Sequence, residues 1–388
     1  MYDFIKIRLF IDQNILKNNP KLDFYRSVST STGECKNFEY AEYNGLEFYI
    51  YDSGTVFLMG SIHKYYHNGY NHNDFTLIHY LEVLKNLTEI FGIDPANTKV
   101  INLEFAVNIQ PPISTDKILK RIFLHKGVEF KNQSVKDGDY RQARHQHYFF
   151  KVYDKAKHYN IPYQIFRVEV KYTKELSKLK IHSLTDLIKP EITKKLGQIL
   201  ATKWDEVLFL DPTIEKKHLN QKQLSRLQEW ENPNFWTDLK ENKSYKNQFG
   251  NEVKRLREFT KEHSENIQSQ IYNLILKKWG TLTEIPLEYV LKKIGKINRD
   301  SVSYEQTELG KINSSYIELI YHSSKIEVPR LKKRTCKVTG LDISMQKETS
   351  AFLSISGLRY YYHNKPGKYK ELAKRLSKKW LNEPLEIQ

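Results

Sequence analysis

The stretch Tyr148–Lys171, YFFKVYDKAKHYNIPYQIFRVEVK, restricts what this chain can become more than any other. Side chains of an extended strand alternate between two faces, so Phe149, Lys151, Tyr153 and Lys155 share one side of a first strand. Arg167, Glu169 and Lys171 share one side of a second, opposite an apolar row of Phe166, Val168 and Val170. Strands patterned this way belong to a sheet with one face in a core and the other accessible. A tyrosine, a carboxylate and several cations on the accessible face could hold and attack a phosphodiester.

With 388 residues the chain exceeds one average domain, and 39% hydrophobic residues with 13% aromatics suffice for a real core. The net charge of +16 favours a polyanion partner and salt-sensitive association. A lysine-rich composition alone would produce the same excess. Only Cys35 and Cys336 are present, which excludes a disulfide framework and a Cys-based zinc site within the chain. The opening MYDFIKIRLFID reads as a first strand rather than a signal peptide, and no apolar run reaches a membrane span, so a reducing cytoplasm is the expected setting. No phosphate-binding Gly-x-x-x-x-Gly-Lys-Ser/Thr loop and no Gly-x-Gly-x-x-Gly turn occurs, so no nucleotide cofactor is expected.

The expected fold class is α+β, with a mainly antiparallel central sheet, helices on one face and the site on the other, followed by a mostly helical basic C-terminal region. Phe4–Ile11 is a candidate strand, and Leu46–Tyr51 and Thr55–Ile62 flank Asp52-Ser53-Gly54 as a hairpin. Asp74–Phe91 follows a helical period, with Asn73 or Asp74 as cap and Gly92 as stop. Val100–Ile109 alternates Leu103, Phe105, Val107 and Ile109 against Asn102, Glu104, Ala106 and Asn108. A short helix is expected over Ser114–Leu124 and an irregular polar stretch over Lys131–Arg144. Helices follow at Leu184–Ile188 and Glu191–Leu200, a strand at Glu206–Leu210, and a mostly helical, charged region over 214–300. The pattern divides the chain into residues 1–212, 213–329 and a basic, aromatic-rich module, 330–388.

Glu104 and Glu169 both lie on polar strand faces, where two carboxylates can converge on one hard divalent cation such as Mg²⁺ or Mn²⁺. Tyr153 is then a candidate nucleophile, with Lys151, Lys155 or Lys157 positioned to neutralise phosphate or lower the phenol pKa. Arg167 could orient Glu169 or clamp a phosphate. The same pattern also fits a solvated sheet face laced with Lys–Glu pairs. A rival metal site is His145-Gln146-His147, but an extended chain would put His147 about 20 Å from Tyr153. His63, His67 and His72 lie in SIHKYYHNGYNHND; His63 is a further candidate ligand, while His67 and His72 fit equally well in a loop without catalytic duty.

In order and spacing, these segments resemble the gene II replication initiator of filamentous bacteriophages, a nicking-joining endonuclease, and related phage and plasmid rolling-circle initiators. MYDFIKIRLFID is similar to that family's opening strand, GSIHKYYHNGYNHNDF to the segment after its hairpin, and VINLEFAVNI to the strand with a metal-binding acid. FFKVYDKAKH resembles its nucleophile strand, and FRVEVKYTKEL the Arg-x-Glu strand that follows. The likeness covers roughly residues 1–200. It implies Tyr153 as nicking tyrosine, Lys155 as its partner lysine, and Glu104 and Glu169 as metal ligands. His158 departs from the pattern, standing where relatives often carry Glu. KRTCKVTGLDISMQKETSAFLSISGLRYY resembles a Cys-rich terminal module but holds Cys336 alone, so structural zinc is not expected.

The resulting expectation is a replication initiator in a bacterial host. It would nick one strand of origin DNA, single-stranded at the cleavage site, leaving a 5′-phosphotyrosyl link and a free 3′-OH, then rejoin ends. Host helicase and DNA polymerase would be partners. DNA contacts are expected from Lys151, Lys157, Lys171, Lys332, Lys333, Arg334, Arg359, Tyr361, Lys374 and Arg375. The alternatives are a non-enzymatic DNA-binding regulator, and a mobilisation or integration nuclease with the same tyrosine chemistry.

Overall fold

The computed structural model describes residues 1–135, 138–241, 246–285 and 355–371. The chain separates into two compact units, Met1–Ser324 and Lys325–Gln388. The second unit's described part contains the helix Ile355–Asn364.

The first unit begins with β1 (Tyr2–Leu9), α1 (Gln13–Lys17), β2 (Phe38–Tyr43), β3 (Leu46–Tyr51) and β4 (Val56–Ser61). Next come α2 (Ile62–Tyr66), α3 (Leu77–Phe91), β5 (Thr98–Ile109), α4 (Thr115–Leu119) and β6 (Ile122–His125). Then follow β7 (Val128–Glu129), β8 (Lys131–Val135), β9 (Gly138–Arg144), β10 (Tyr148–Asp154), α5 (Lys155–Tyr159) and β11 (Phe166–Tyr172). After β11 the chain forms α6 (Pro190–Asp205), β12 (Val207–Phe209), α7 (Gln221–Glu231), α8 (Pro233–Glu241), α9 (Lys246–His263) and α10 (Ile267–Thr283).

This is an α+β fold built on a nine-stranded sheet, ordered β2-β3-β4-β1-β5-β11-β10-β9-β8, with antiparallel neighbours throughout. Its apolar rows face α3, α6 and α10. The Tyr2 ring lies 5.0 Å from Tyr80 and 6.2 Å from Trp279, and Phe166 lies 5.5 Å from Trp204. Helices α6 and α10 approach closely at Gly197, where a Cβ would overlap the Trp279 indole. A second hydrophobic cluster joins Leu124, Leu208 and Leu210 to Trp230, Trp236 and Leu256.

Several local expectations change. The cap of α3 is Thr76, whose hydroxyl accepts from the His79 amide, rather than Asn73 or Asp74; Gly92 does end the helix, at φ 68°. The helix expected over Ser114–Leu124 stops at Leu119, because Ile122–His125 pairs with β12 instead. Within the stretch expected to be irregular, β8 (Lys131–Val135) and β9 (Gly138–Arg144) pair antiparallel and extend the sheet from β10. Lys155 is not the end of a strand: Asp154 caps α5 and Lys155 opens it.

Candidate active site

The site forms on the sheet face opposite α3, α6 and α10. Residues Tyr2 to Ile5 of β1 span the distance that Phe105 to Leu103 spans on β5, so β1 carries one extra residue there. That bulge sets Asp3 and Phe4 together against Glu104 and breaks the alternation that would have sent Asp3 into the core with Ile5 and Ile7. On β5, Glu104, Ala106 and Asn108 stand opposite Lys171, Glu169 and Arg167 of β11. On β10, Lys151 and Tyr153 stand opposite Glu169 and Arg167.

One carboxylate oxygen from each of Asp3, Glu104 and Glu169 lies within 4.8 Å of the others, and all three residues are buried. Arg167 bridges two of them: it donates to Asp3 and to Glu169 Oε2 at 3.0 Å, and also to Asn108 Oδ1 at 3.1 Å. Lys151 Nζ sits 2.6 Å from Glu169 Oε1 and 3.5 Å from Glu104 Oε2. Lys171 Nζ lies 3.7 Å from Glu104 and over the Phe4 ring. The Tyr153 hydroxyl donates to Glu169 Oε2 at 3.5 Å and accepts from Lys155 Nζ at 3.3 Å. Lys155 also donates to Asn71 Oδ1 at 2.6 Å, and Asn71 donates to Asp3 at 2.8 Å. The Tyr140 ring of β9 stacks on Tyr153, with centroids 4.1 Å apart, and Tyr153 is only 4% exposed.

The electrostatics separate these groups. Burial and the neighbouring Glu169 push Glu104 up to about 7. Burial also opposes ionisation of Glu169, but Lys151 and Arg167 outweigh it and hold that carboxyl at about 2. Burial and Arg167 bring Lys155 down to about 7, while burial raises the Tyr153 phenol well above its ordinary value. A lysine close to neutrality thus touches a tyrosine that is reluctant to ionise alone.

Tyr153, Lys155, Arg167, Glu104, Glu169, Lys151 and Lys171 therefore converge. Asp3 and Asn71 complete the cluster without having been singled out. Asp3 has no signal in a two-residue period, and Asn71 comes from the loop between α2 and α3. His63 is buried against His67 and Phe75, at ring distances of 5.2 and 5.1 Å, with Nε2 lacking a hydrogen-bond partner. Lys157 is exposed on α5. The rival histidines are occupied elsewhere: His145 Nε2 is 2.7 Å from His125 Nδ1, and His147 is 3.7 Å from Glu175. In the second unit Tyr361 is half-buried and Arg359 lies on the helix Ile355–Asn364, whereas Lys332, Lys333, Arg334, Cys336, Lys374 and Arg375 fall outside the described residues.

Three buried oxygen donors within one ion's coordination span suit a hard divalent cation. No helix among the described residues is long and apolar enough to cross a membrane.

No family model matches the sequence, and no curated protein matches it. Among solved structures, the chain is similar to a rolling circle replication initiator protein from Geobacillus stearothermophilus, at 11% identity and a TM-score of 0.33, over 60% of this chain and 96% of that one.

Proposed function

We propose that the protein is a replication initiator that nicks one strand of origin DNA through attack by Tyr153. The observation carrying this reading is the meeting of the Tyr153 hydroxyl, Lys155 and a buried carboxylate triad on one sheet face. The resemblance of residues 1–200 to rolling-circle initiators supports the biological programme.

A Mg²⁺ or Mn²⁺ ion held by Asp3, Glu104 and Glu169 would supply charge neutralisation at the transferred phosphoryl group. Once the Tyr153 O–H turns from Glu169 to a neutral Lys155 amine, 3.3 Å away, that amine takes the phenol proton as the Tyr153 oxygen bonds to phosphorus. Glu169, held at about 2, is the poorer base of the two groups touching that hydroxyl. The P–O3′ bond breaks and the departing oxygen takes up a proton, from the Lys155 ammonium formed in the attack or from water, leaving a free 3′-OH and a 5′-phosphotyrosyl link. That link conserves the phosphodiester's energy, so the reverse reaction joins ends without ATP. Arg167, fixed by three acceptors, keeps Asp3 and Glu169 in place. Lys151, Lys157, Lys171 and the cations of the C-terminal region would contact the DNA backbone. A helicase and a polymerase of the host would supply unwinding and synthesis, since the chain has no nucleotide-binding loop.

Incubation with origin-containing single-stranded DNA and Mn²⁺ should give a denaturation-resistant adduct for the wild type and none for Y153F. A normal adduct with Y153F would overturn the assignment, and peptide mapping would then point to Tyr148, Tyr159 or Tyr163.

A further inference from the structure

The carboxylates already hold a cation of the protein's own. Lys151 Nζ lies 2.6 Å from Glu169 Oε1 and 3.5 Å from Glu104 Oε2, between two of the three grouped acids. A hard divalent ion held by these residues would sit about 2.0–2.6 Å from one oxygen of each carboxylate. An ammonium and a dication crowded between the same two carboxylates repel each other and compete for their charge. The cations around the acids differ in freedom. Arg167 is 2% exposed and anchored by Asp3, Glu169 and Asn108 together. Lys171 leans over the Phe4 ring and reaches only Glu104. Lys151 has a flexible unbranched stem and a side chain 22% exposed, so a path outward is open to it.

We infer that Lys151 is the resident counter-cation of Glu104 and Glu169, that a divalent ion displaces it, and that the released ammonium passes to a DNA phosphate. This rests on the metal-assisted reading above. The metal-free site stays folded because its charges are matched, and ion binding converts a structural lysine into a substrate contact. Linkage makes the effect reciprocal: a phosphate that draws Lys151 away strengthens ion binding by the factor with which the ion strengthens DNA binding.

The test is Mn²⁺ titration of the DNA-free protein, read from the loss of the free-ion paramagnetic resonance signal, for wild type, K151M and K151Q. Removing the competitor should tighten Mn²⁺ binding roughly tenfold, the equivalent of one partly buried ion pair. Mn²⁺ should also raise the melting temperature of the variants more than that of the wild type. K151Q retains a donor to the carboxylates and serves if K151M does not fold. Wild-type binding with unchanged or weaker binding in the variants overturns the inference and leaves the metal site standing. No binding by any of the three overturns both. In a Y153F background, a mixed-sequence single-stranded 20-mer, a length chosen to be roughly that of a short binding site, should tighten Mn²⁺ binding when Lys151 is present. It should not do so with K151M; equal coupling would overturn the passage of Lys151 to phosphate.

Discussion

Arg167 donates to Asp3, Glu169 and Asn108 from a position only 2% exposed, so its charge depends on those partners rather than on water. Asp3→Ala should therefore lower stability by about 3 kcal/mol, as expected when one member of a buried pair is lost. An unchanged urea midpoint would mean that Glu169 alone balances the guanidinium. Lys155 titrates in a pH window of its own. Its ordinary pKa of 10.5 falls to about 7 in the folded protein, so between those values the unfolded chain binds the additional proton. Stability should rise with pH across that window, and Lys155→Met should remove this part of the slope in urea melts at pH 7 to 10. The same amine predicts adduct formation that increases as pH rises through about 7. Of the residues in this network, Tyr153, Lys155, Arg167, Glu104 and Glu169 were legible because each followed from strand alternation or a motif beside it. Asp3 was not, since an extra backbone residue reverses its face and leaves no mark in the side-chain pattern.

Two elements show why polar strands escape detection. The β8–β9 hairpin carries KNQSV and GDYRQAR, which have no apolar row, yet its backbone pairs with β10 and sets Tyr140 on Tyr153. Tyr140→Ala should uncover Tyr153 and speed its nitration by tetranitromethane several-fold, with Tyr140→Phe close to wild type. Equal labelling in both would show that burial of Tyr153 comes from other neighbours. The long elements were readable because their apolar residues recur at helical or strand spacing, as in α3 and β5. What that spacing could not convey is the distance between elements. Gly197 lies against the Trp279 indole where α6 meets α10, and Gly197→Ala should cost about 1–3 kcal/mol through overpacking, measurable as a lower urea midpoint.

Across the whole molecule the net charge of +16 supplies long-range attraction for a polyanion, and residues 330–388 hold a dense share of its lysines and arginines. Removing them should weaken DNA binding and flatten the dependence of log K on log salt, measured by fluorescence anisotropy over a salt series. An unchanged slope would place the phosphate contacts within residues 1–329. The sheet order has another consequence, for the growing chain. β1 pairs with β5, which then waits for β11, so Asp3 and Arg167 meet across a separation of 164 residues. A chain that ends at β5 sets two carboxylates, Asp3 and Glu104, side by side with neither Arg167 nor Lys151 to balance them. Their repulsion opposes early closure of the central pair, and contacts this distant in sequence form slowly. The strand that brings Arg167 also supplies the next row of apolar side chains, so a chain that stops at β5 has neither a finished centre nor a settled core.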